Sequence, residues 1–459
     1  MNPPLSLFLS LFLIPLSMIA QTGSVSPIAP MMEYREAHMM AEVDNGILAI
    51  GGFDGGMTTA SCEWYDPQLD VWMPVASLPG PRQNATAHTI NGDVFVIGGW
   101  DGDVTNHDDI LHYSASTAGW TAVATMSSGR SGHSSVVTGW LDPKILICGG
   151  YDGSLDLATC DIFDPETFEV TPAAPLSTAR SSFAMMCRPG EEEVVVAGGF
   201  NPNAGFQLAS TEMYTEGSWT DLPDLPFAVD NLAGTVLETG DGPFGVTGGR
   251  VFNAAENQFQ GVASGAALLG DNWVPFDLLH PHSYHAMASA GTSWDASVFI
   301  CGGADVTGTG VTTTYSPSEW GLYSVGLGDE GFWSETLAPE IPETNGRFRP
   351  AFARVGNLGY FTGGDAEMVG TGWSVDLTGF GSAPEADPLR RLKVFPNPAY
   401  GRVAALGIEA QESWTLHDMS GAHVMSGQGP SIDLRGLAPG NYVLRSETGV
   451  SENVVVAAR

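Results

Sequence analysis

Basic residues are scarce in this chain of 459 residues. Lysine and arginine together number 17 against 52 aspartates and glutamates, which gives a net charge of −35 at pH 7. A surface this acidic repels the phosphate backbone of nucleic acids and the anionic headgroups of lipids. We therefore expect no nucleic-acid partner.

Motifs for catalysis and for cofactor binding are also missing. The sequence has no H-E-x-x-H, no G-x-S-x-G and no Gly-Lys pair of a phosphate-binding loop, and its cysteines form no C-x-x-C pair. The G-x-G-x-x-G at 326–331 is not followed by the helical pattern that a dinucleotide site requires. The sequence therefore predicts no cofactor and gives no catalytic residue.

Long stretches with the period of a helix are absent, whereas glycine and proline are abundant, at 58 and 30 residues. This composition predicts an all-β chain with many turns. The one long apolar run, at 5–20, is typical of an export signal. We expect residues 1–20 to be a signal peptide that is cleaved before Gln21.

A Gly-Gly pair recurs along the chain with spacings of 47 to 61 residues. Each pair ends a β-rich apolar run such as ILAI at 47–50, and a tryptophan follows some 20 residues later in three units. An arginine precedes the pair by 16 to 19 residues in five units: Arg35, Arg82, Arg130, Arg180 and Arg347. Repeats of this length bury a core only by stacking against one another. The pairs begin at Gly51, Gly98, Gly149, Gly198, Gly248, Gly302 and Gly363.

These landmarks closely resemble the kelch repeat over about residues 25–380. The resemblance implies an all-β fold, a seven-bladed kelch β-propeller whose four-stranded blades surround a central channel. Residues 25–31 (VSPIAPM) match the outer strand at 170–176 (VTPAAPL), and in both segments a proline stands eight residues before the arginine. We expect residues 25–31 to complete the seventh blade, so that 21–378 form the propeller.

The tail differs from the rest of the chain in charge and in motifs. Residues 389–459 carry a net charge of +1, so the first 388 carry −36. The tail contains VFPNPA at 394–399, LHDMSG at 416–421 and LAPGNYV at 437–443, after a linker at 379–388 that is rich in Gly, Pro and acid. This set resembles the C-terminal sorting domain of type IX secretion cargo, a small Ig-like β-sandwich. The resemblance implies that the type IX translocon reads 389–459, that the domain is then removed, and that the cargo is often attached to surface lipopolysaccharide.

Candidate ligand-binding residues follow from the repeat. The loop that enters a blade and the loop that leaves its second strand open on one face, and arginines there bind ligands in the peptide-binding kelch domains that this chain resembles. The alternative is that the arginines tie adjacent blades together and the aromatic residues fill the loops. The candidates are the five arginines and the four aromatic residues that follow a Gly-Gly pair: Arg35, Arg82, Arg130, Arg180, Arg347, Phe53, Trp100, Tyr151 and Phe200.

Metal and disulfide chemistry have weaker signals. His280 and His282 alternate along a possible strand and could bind a metal if a carboxylate joined them. Cys148 and Cys160 could form a cross-strand disulfide in an oxidising compartment, although buried small side chains are the default at such repeated positions.

Two functions remain open at this point. The first is a secreted or cell-surface module that binds an extracellular protein or glycan. The second is an extracellular carbohydrate-active enzyme of the oxidase or isomerase type on the same scaffold. Polar residues that do not repeat and that converge on the channel would distinguish an enzyme, since catalysis needs an acid and a base in one place.

Processing is the first testable expectation. The mature chain should begin near Gln21 and end within 379–388, because we expect the signal peptide at 1–20 and the sorting domain at 389–459 to be removed during export. Intact-mass measurement of the protein from its native host checks this. A secreted product that keeps Arg459 in full yield would contradict the sorting-domain interpretation.

Overall fold

The computed structural model describes residues 25–114, 119–139, 142–188, 192–236 and 243–253, and then shorter stretches within 255–376 and 393–456. Strands dominate these residues, and the one helix among them is a single 3-10 turn, Pro202–Ala204. No helix in these ranges is long and apolar enough to cross a membrane. The all-β class predicted from the composition is confirmed.

Seven four-stranded antiparallel sheets precede residue 377 in the part of the chain that the structure describes. Strand β1 (Val25–Ile28) comes first along the chain and belongs to the last of these sheets. Sheet 1 contains β2 (Met39–Val43), β3 (Gly46–Ile50), β4 (Cys62–Asp66) and β5 (Val71–Val75). Sheet 2 contains β6 (Thr86–Ile90), β7 (Asp93–Ile97), β8 (Asp109–Ser114) and β9 (Gly119–Thr125). Sheet 3 contains β10 (Ser134–Thr138), β11 (Lys144–Cys148), β12 (Cys160–Phe163) and β13 (Val170–Ala173).

Sheets 4, 5 and 6 each carry an additional two-stranded hairpin between their second and third strands. Sheet 4 contains β14 (Ala184–Cys187), β15 (Val194–Ala197), β18 (Thr211–Thr215) and β19 (Ser218–Leu222), with the hairpin β16 (Phe200–Asn201) and β17 (Phe206–Gln207). Sheet 5 contains β20 (Ala233–Val236), β21 (Phe244–Thr247), β24 (Ser264–Leu269) and β25 (Asn272–Asp277), with the hairpin β22 (Arg250–Asn253) and β23 (Gln258–Gly261). Sheet 6 contains β26 (Ala286–Ala290), β27 (Ala296–Cys301), β30 (Gly321–Gly326) and β31 (Phe332–Leu337), with the hairpin β28 (Asp305–Val306) and β29 (Thr313–Thr314).

Sheet 7 is built from both ends of this region. It contains β32 (Ala351–Val355), β33 (Leu358–Thr362) and β34 (Gly372–Asp376), and β1 pairs antiparallel with β34 as the outer strand. The innermost strands β2, β6, β10, β14, β20, β26 and β32 are neighbours in turn, and β32 returns to β2. The sheets therefore form a closed circle, the architecture of a β-propeller.

The second strand of each sheet explains why an apolar run precedes each Gly-Gly pair. Strands β3, β11 and β15 are covered on both faces by neighbouring sheets, so after their first residue they are hydrophobic without alternation. The glycines that follow have positive φ, 58° at Gly51 and 104° at Gly52. A Cβ on Gly51 would lie 2.5 Å from the carbonyl oxygen of Arg82 in the next sheet, so the close approach of two sheets also requires glycine there.

The repeated tryptophans join sheets 1, 2 and 4 to the sheet before each of them. Trp120 Nε1 donates to the carbonyl oxygen of Ala76 at 3.0 Å, and Trp219 Nε1 donates to that of Ala174 at 2.9 Å. In sheet 1 the equivalent Trp72 donates to Ala29, directly after β1, at 2.8 Å. The N-terminal segment thus presents to sheet 1 the same kind of acceptor that the ends of the outer strands of sheets 1 and 3 present to sheets 2 and 4.

The tail contains two further sheets. One has the order β35 (Lys393–Phe395), β36 (Arg402–Leu406), β39 (Ser431–Asp433), and the other has the order β38 (His423–Gln428), β37 (Ser413–Asp418), β40 (Gly440–Ser446), β41 (Ser451–Val456). Trp414 and Leu444 of the second sheet share one buried cluster with Ile432 of the first.

One disulfide is present among the described cysteines. Cys148 and Cys160 are directly opposite each other on β11 and β12, and they are bonded. In sheet 1 the equivalent pair is Ile50 and Cys62, so Cys62 has no cysteine opposite it and stays a buried thiol. Burial raises the pKa of Cys62 to about 11, which keeps it protonated and unreactive at neutral pH.

Adjacent methionines test the role of the N-terminal segment. Met31 is buried in the cluster between sheets 7 and 1, with its backbone N–H bonded to Gly370, whereas Met32 is 63% exposed. Met31→Ala should lower the free energy of unfolding by about 2–4 kcal/mol, because it leaves a cavity where the circle closes. Met32→Ala should change it by less than about 0.5 kcal/mol. Urea denaturation checks both, and equal effects would contradict a structural role for the segment.

Candidate functional site

The leading arginines are buried and bound to their own sheets. In sheets 1 to 4 the guanidinium donates to the carbonyl oxygen of the first glycine of the Gly-Gly pair and contacts a carboxylate on the third strand. The first contacts are Arg35 to Gly51 (2.9 Å), Arg82 to Gly98 (3.0 Å), Arg130 to Gly149 (3.0 Å) and Arg180 to Gly198 (2.8 Å). The ion pairs are Arg35–Glu63 (2.6 Å), Arg82–Asp109 (2.9 Å), Arg130–Asp161 (2.9 Å) and Arg180–Glu212 (2.7 Å).

The main chain of each arginine meets the preceding sheet. The carbonyl oxygen of Arg82 accepts the N–H of Gly52 at 2.9 Å, and that of Arg130 accepts the N–H of Gly99 at 2.9 Å. Arg35 accepts from Gly364 in the same way, at 3.0 Å across the closure. Each arginine therefore bonds its own sheet with its side chain and the preceding sheet with its backbone.

This geometry corrects part of the predicted site. The side chains of Arg35, Arg82, Arg130 and Arg180 are at most 1% exposed, so a ligand on the surface cannot contact them. The prediction that these four arginines bind a ligand is wrong, and the alternative that they tie adjacent sheets together describes them. Arg347, His280 and His282 lie outside the described residues.

Sheet 5 lacks the leading arginine and has an ion pair at a different position. Val229 takes the place of the arginine, and its carbonyl oxygen accepts the N–H of Gly199 at 2.8 Å. Arg250, directly after the Gly-Gly pair, forms an ion pair with the buried Asp230 of the entering loop at 2.7 Å. Asp230 raises the pKa of Arg250 against the opposing effect of burial, so the ion pair stays charged.

The predicted aromatic residues lie next to the entering loops. Phe53, Trp100, Tyr151 and Phe200 each form an antiparallel bridge with the residue that follows the leading arginine. The bridge of Tyr151 is with Ser131, whose N–H and carbonyl oxygen both bond its backbone. Tyr151 is 41% exposed and lines a cavity at the centre of the circle.

Sequence reasoning missed a circle of residues around this cavity. The residue two positions after each leading arginine, or its equivalent, has φ of 50–58°, in the left-handed region. Each of these residues donates its N–H to the carbonyl oxygen of the previous one at 2.8–3.3 Å, and the series closes when Ala37 donates to Arg349. We call them the ring residues: Ala37, Asn84, Gly132, Ser182, Asn231, Tyr284 and Arg349.

The ring residues surround one mouth of the central channel. They line a cavity of about 360 Å³ together with Ser131, Tyr151 and Ser181, and with His38 and His285. The described lining contains no aspartate or glutamate, although the chain carries 52. Arg349 lies over the ring of Tyr284, with the guanidinium carbon 4.7 Å from the ring centroid. The cavity thus offers amides, hydroxyls, two phenol rings and a guanidinium.

The ring residues differ from one repeat to the next, unlike the residues that fold the sheets. Arginine, Gly-Gly and tryptophan recur because each repeat needs the same contacts. At the ring the backbone recurs, but the side chain varies from none in Gly132 to a guanidinium in Arg349. The signal in the sequence is the position two residues after the arginine, and its variety hides it from a search for repeated motifs.

Histidines in the channel wall are structural and neutral. His133 Nε2 contacts Thr86 Oγ1 at 3.1 Å, Ser135 Oγ donates to Thr86 Oγ1 at 2.6 Å, and His88 Nε2 contacts Ser135 Oγ at 2.7 Å. Burial, with Arg130 and His88 close by, lowers the pKa of His133 to about 3, and burial lowers that of His88 to about 4. These groups join sheets 2 and 3 through hydrogen bonds.

The aspartates after the Gly-Gly pairs cap their own turns. Asp54 accepts the N–H of Gly56 and of Met57, and Asp152 accepts those of Ser154 and Leu155. Across the residues that the structure describes, no group of three or more His, Cys, Asp and Glu side chains is placed to hold a metal ion.

A family model identifies the repeat. The model of the Kelch motif matches residues 37–79, 81–127 and 129–177, which contain sheets 1, 2 and 3. These repeats are kelch repeats. They lie within the closed circle of sheets, so the predicted kelch repeat and the predicted β-propeller fold are confirmed.

Curated relatives share part of this propeller. Kelch-like protein 23 of Homo sapiens is 26% identical over 205 residues, which cover 44% of this chain and 35% of that protein. Kelch-like protein 35 of Homo sapiens is 32% identical over 159 residues, which cover 34% of this chain and 26% of that protein. Beta-scruin of Limulus polyphemus is 28% identical over 226 residues, which cover 46% of this chain and 24% of that protein. The chain spans about a quarter to a third of the length of these relatives.

A solved structure supports the fold. The structure of YjhT aligns with a TM-score of 0.51 and 15% identity, covering 67% of this chain and 99% of that one. At this identity the likeness concerns the fold alone.

The ion pairs of two leading arginines, Arg130 and Arg82, can be compared directly. Arg130→Ala should lower the free energy of unfolding by about 3–5 kcal/mol, because it leaves Asp161, 2% exposed, as an unpaired buried charge. Arg82→Ala should cost less, because its partner Asp109 is 27% exposed and can be hydrated. Urea denaturation at pH 7.5 measures both. If both variants were as stable as the unmodified chain but bound a ligand differently, the result would contradict the structural role and support ligand binding by these arginines.

The channel histidines should make the fold sensitive to acid. Their pKa values are about 3 and about 4 when folded and near 6.5 when unfolded, so below pH 6.5 protons bind the unfolded chain preferentially. Stability should be complete above pH 6.5 and fall between pH 6.5 and about 4, by up to about 1.4 kcal/mol per pH unit for each histidine. Thermal unfolding between pH 7.5 and 4.5 tests this. A His88→Gln, His133→Gln variant should show a shallower decline, and an unchanged slope would contradict the assignment.

Proposed function

We propose that this kelch propeller is a binding module that holds an extracellular protein or glycan at the channel mouth formed by the ring residues. The observation that carries this proposal is the variety of side chains at a backbone position that recurs around the circle. Contacts that stabilise a repeat are the same in each copy, so a position free to vary next to a cavity is suited to specifying a ligand. Kelch propellers are a type of protein-binding module, which agrees with this role.

The chemistry of the mouth favours a ligand with many hydrogen-bonding groups. Asn84 and Asn231 each offer an amide that both donates and accepts, and Ser182 offers a hydroxyl. Tyr151 and Tyr284 add flat apolar faces. A mixture of a few placed polar groups with aromatic surface is typical of small-ligand and peptide sites. Because the described lining has no carboxylate, it lacks the acid pair that most glycoside hydrolases use.

The propeller has seven blades in this proposal, sheets 1 to 7, with β1 closing the last. The chain is exported through residues 1–20, and residues 389–459 act as the type IX sorting domain, so the mature propeller resides outside the cell or on its surface. The two tail sheets with their shared core are consistent with a separate small domain.

Glycine substitutions at the ring test the binding role without straining the backbone. Asn84→Gly and Asn231→Gly remove the amides while keeping a residue that readily adopts positive φ. The full chain and the double variant are compared on arrays of oligosaccharides and of peptides. At least one bound probe should lose affinity about tenfold or more, because each lost hydrogen-bonding partner costs about 1–3 kcal/mol.

Ala37→Gly provides the matched control, since it changes the ring by one methyl group and should leave binding within twofold. Thermal unfolding verifies that all variants fold. Probes bound equally well by the double variant and the unmodified chain would reject the channel mouth as the site.

A further inference from the structure

One side of the channel-mouth face carries structure that the other side lacks. The hairpins β16–β17, β22–β23 and β28–β29 lie after the Gly-Gly pairs of sheets 4, 5 and 6. β17 contacts β22, and β23 contacts β28, so the hairpins stand side by side. In sheets 1 to 3 a short turn capped by an aspartate occupies this place. The face is therefore asymmetric, with a wall along sheets 4 to 6.

Phenylalanine rings form a continuous row along this wall. The centroid distances are 6.0 Å from Phe200 to Phe206, 6.3 Å from Phe206 to Phe252 and 5.3 Å from Phe252 to Phe259. We call these four residues the aromatic row. Arg250 lies over Phe259 at 4.2 Å and beside Tyr284 at 5.5 Å, so the row leads to the channel mouth.

Phe206 is unfavourable in two ways as a purely structural residue. It is 50% exposed, so much of its ring remains in water. Its φ is 76°, a conformation that a bulky side chain adopts with strain. Strained residues persist where the surrounding structure holds them for a function. The ring of Phe206 is thus held at the surface by the hairpin, between Phe200 and Phe252.

The row presents aromatic faces with little net charge. Arg250 and Asp230 neutralise each other beside Phe259. The overall charge of −35 disfavours a polyanionic chain. A narrow line of rings next to a mouth of amides and hydroxyls matches a ligand that alternates apolar faces with hydroxyl groups. Neutral sugar rings have that character, whereas a protein partner would need a broader buried area, typically about 800 Å² on each side.

We propose that the aromatic row is an extended subsite for a neutral oligosaccharide, whose pyranose rings stack on Phe206 and Phe252 while its end enters the channel mouth. This proposal rests on the proposed binding function and names its ligand class. Stacking on a flat ring uses the same apolar and electrostatic interactions that pair aromatic side chains.

Calorimetric titration of the full chain with cellohexaose, xylohexaose, mannohexaose and chitohexaose tests the subsite. At least one should bind, and Phe206→Ala should weaken it about tenfold, which corresponds to 1.4 kcal/mol. Phe168→Ala is the matched control, because Phe168 is also exposed at positive φ (61°) but lies in the turn between β12 and β13, at the opposite end of those strands from the Gly-Gly pair. The control should bind within twofold of the unmodified chain.

Comparison with Asn231→Gly separates this proposal from the broader one. Loss of affinity in Phe206→Ala and in Asn231→Gly supports both the row and the mouth. Loss in Asn231→Gly alone leaves the mouth as the site and overturns the row. Loss in Phe206→Ala alone supports the row and counts against the mouth. Failure of all four hexasaccharides to bind overturns the glycan assignment, as does a peptide ligand that depends on Phe206.

Discussion

The propeller depends on the contacts of the buried leading arginines Arg35, Arg82, Arg130 and Arg180. We call the contacts of each one an arginine clamp. A guanidinium inside a protein is costly unless charge and hydrogen bonds surround it. Here each one has a carboxylate and a glycine carbonyl oxygen from its own sheet, and Arg35, Arg130 and Arg180 each have a second carbonyl oxygen as well. The same residue offers its backbone carbonyl to the preceding sheet. One residue thus fixes both the interior of a sheet and the angle at which it meets its neighbour.

Much of this arrangement could be predicted from the sequence because it repeats. The apolar runs, the glycine pairs and the tryptophans recur at a steady interval, and the matching prolines at 27 and 172 identify the strand that β1 forms. The meaning of the arginines could not be settled in that way. A repeated arginine is equally compatible with a buried clamp and with an exposed binding group, and the difference lies in the carboxylates of the third strand. These carboxylates belong to glutamate in two sheets and to aspartate in the other two, so they form no fixed motif. They are Glu63, Asp109, Asp161 and Glu212.

The ring residues could not be predicted from the sequence, because their side chains do not repeat. A left-handed backbone at alanine, serine, tyrosine and arginine has no signature in their side chains, since it is imposed by the hydrogen bonds of a closed circle. Sheet 5 has neither the leading arginine nor its ion pair, and Arg250 and Asp230 form a different one between the two loops of that sheet. Arg250 stands where the repeats of sheets 1 to 4 have an aromatic residue, and this exchange places a cation beside the phenylalanines of the wall.

The circle of backbone hydrogen bonds has a consequence for how such a protein can change in size. A helix or an open array of repeats has two ends with unsatisfied groups, so units can be added or lost there. The bonds from Ala37 through Arg349 all run in one direction and return to their start, and no donor or acceptor of the series is left over. Inserting or deleting one repeat would have to change the angle of every crossing at once. The number of repeats is therefore a property of the whole circle, whereas a loop between two strands, such as each of the three hairpins, can be longer without changing it.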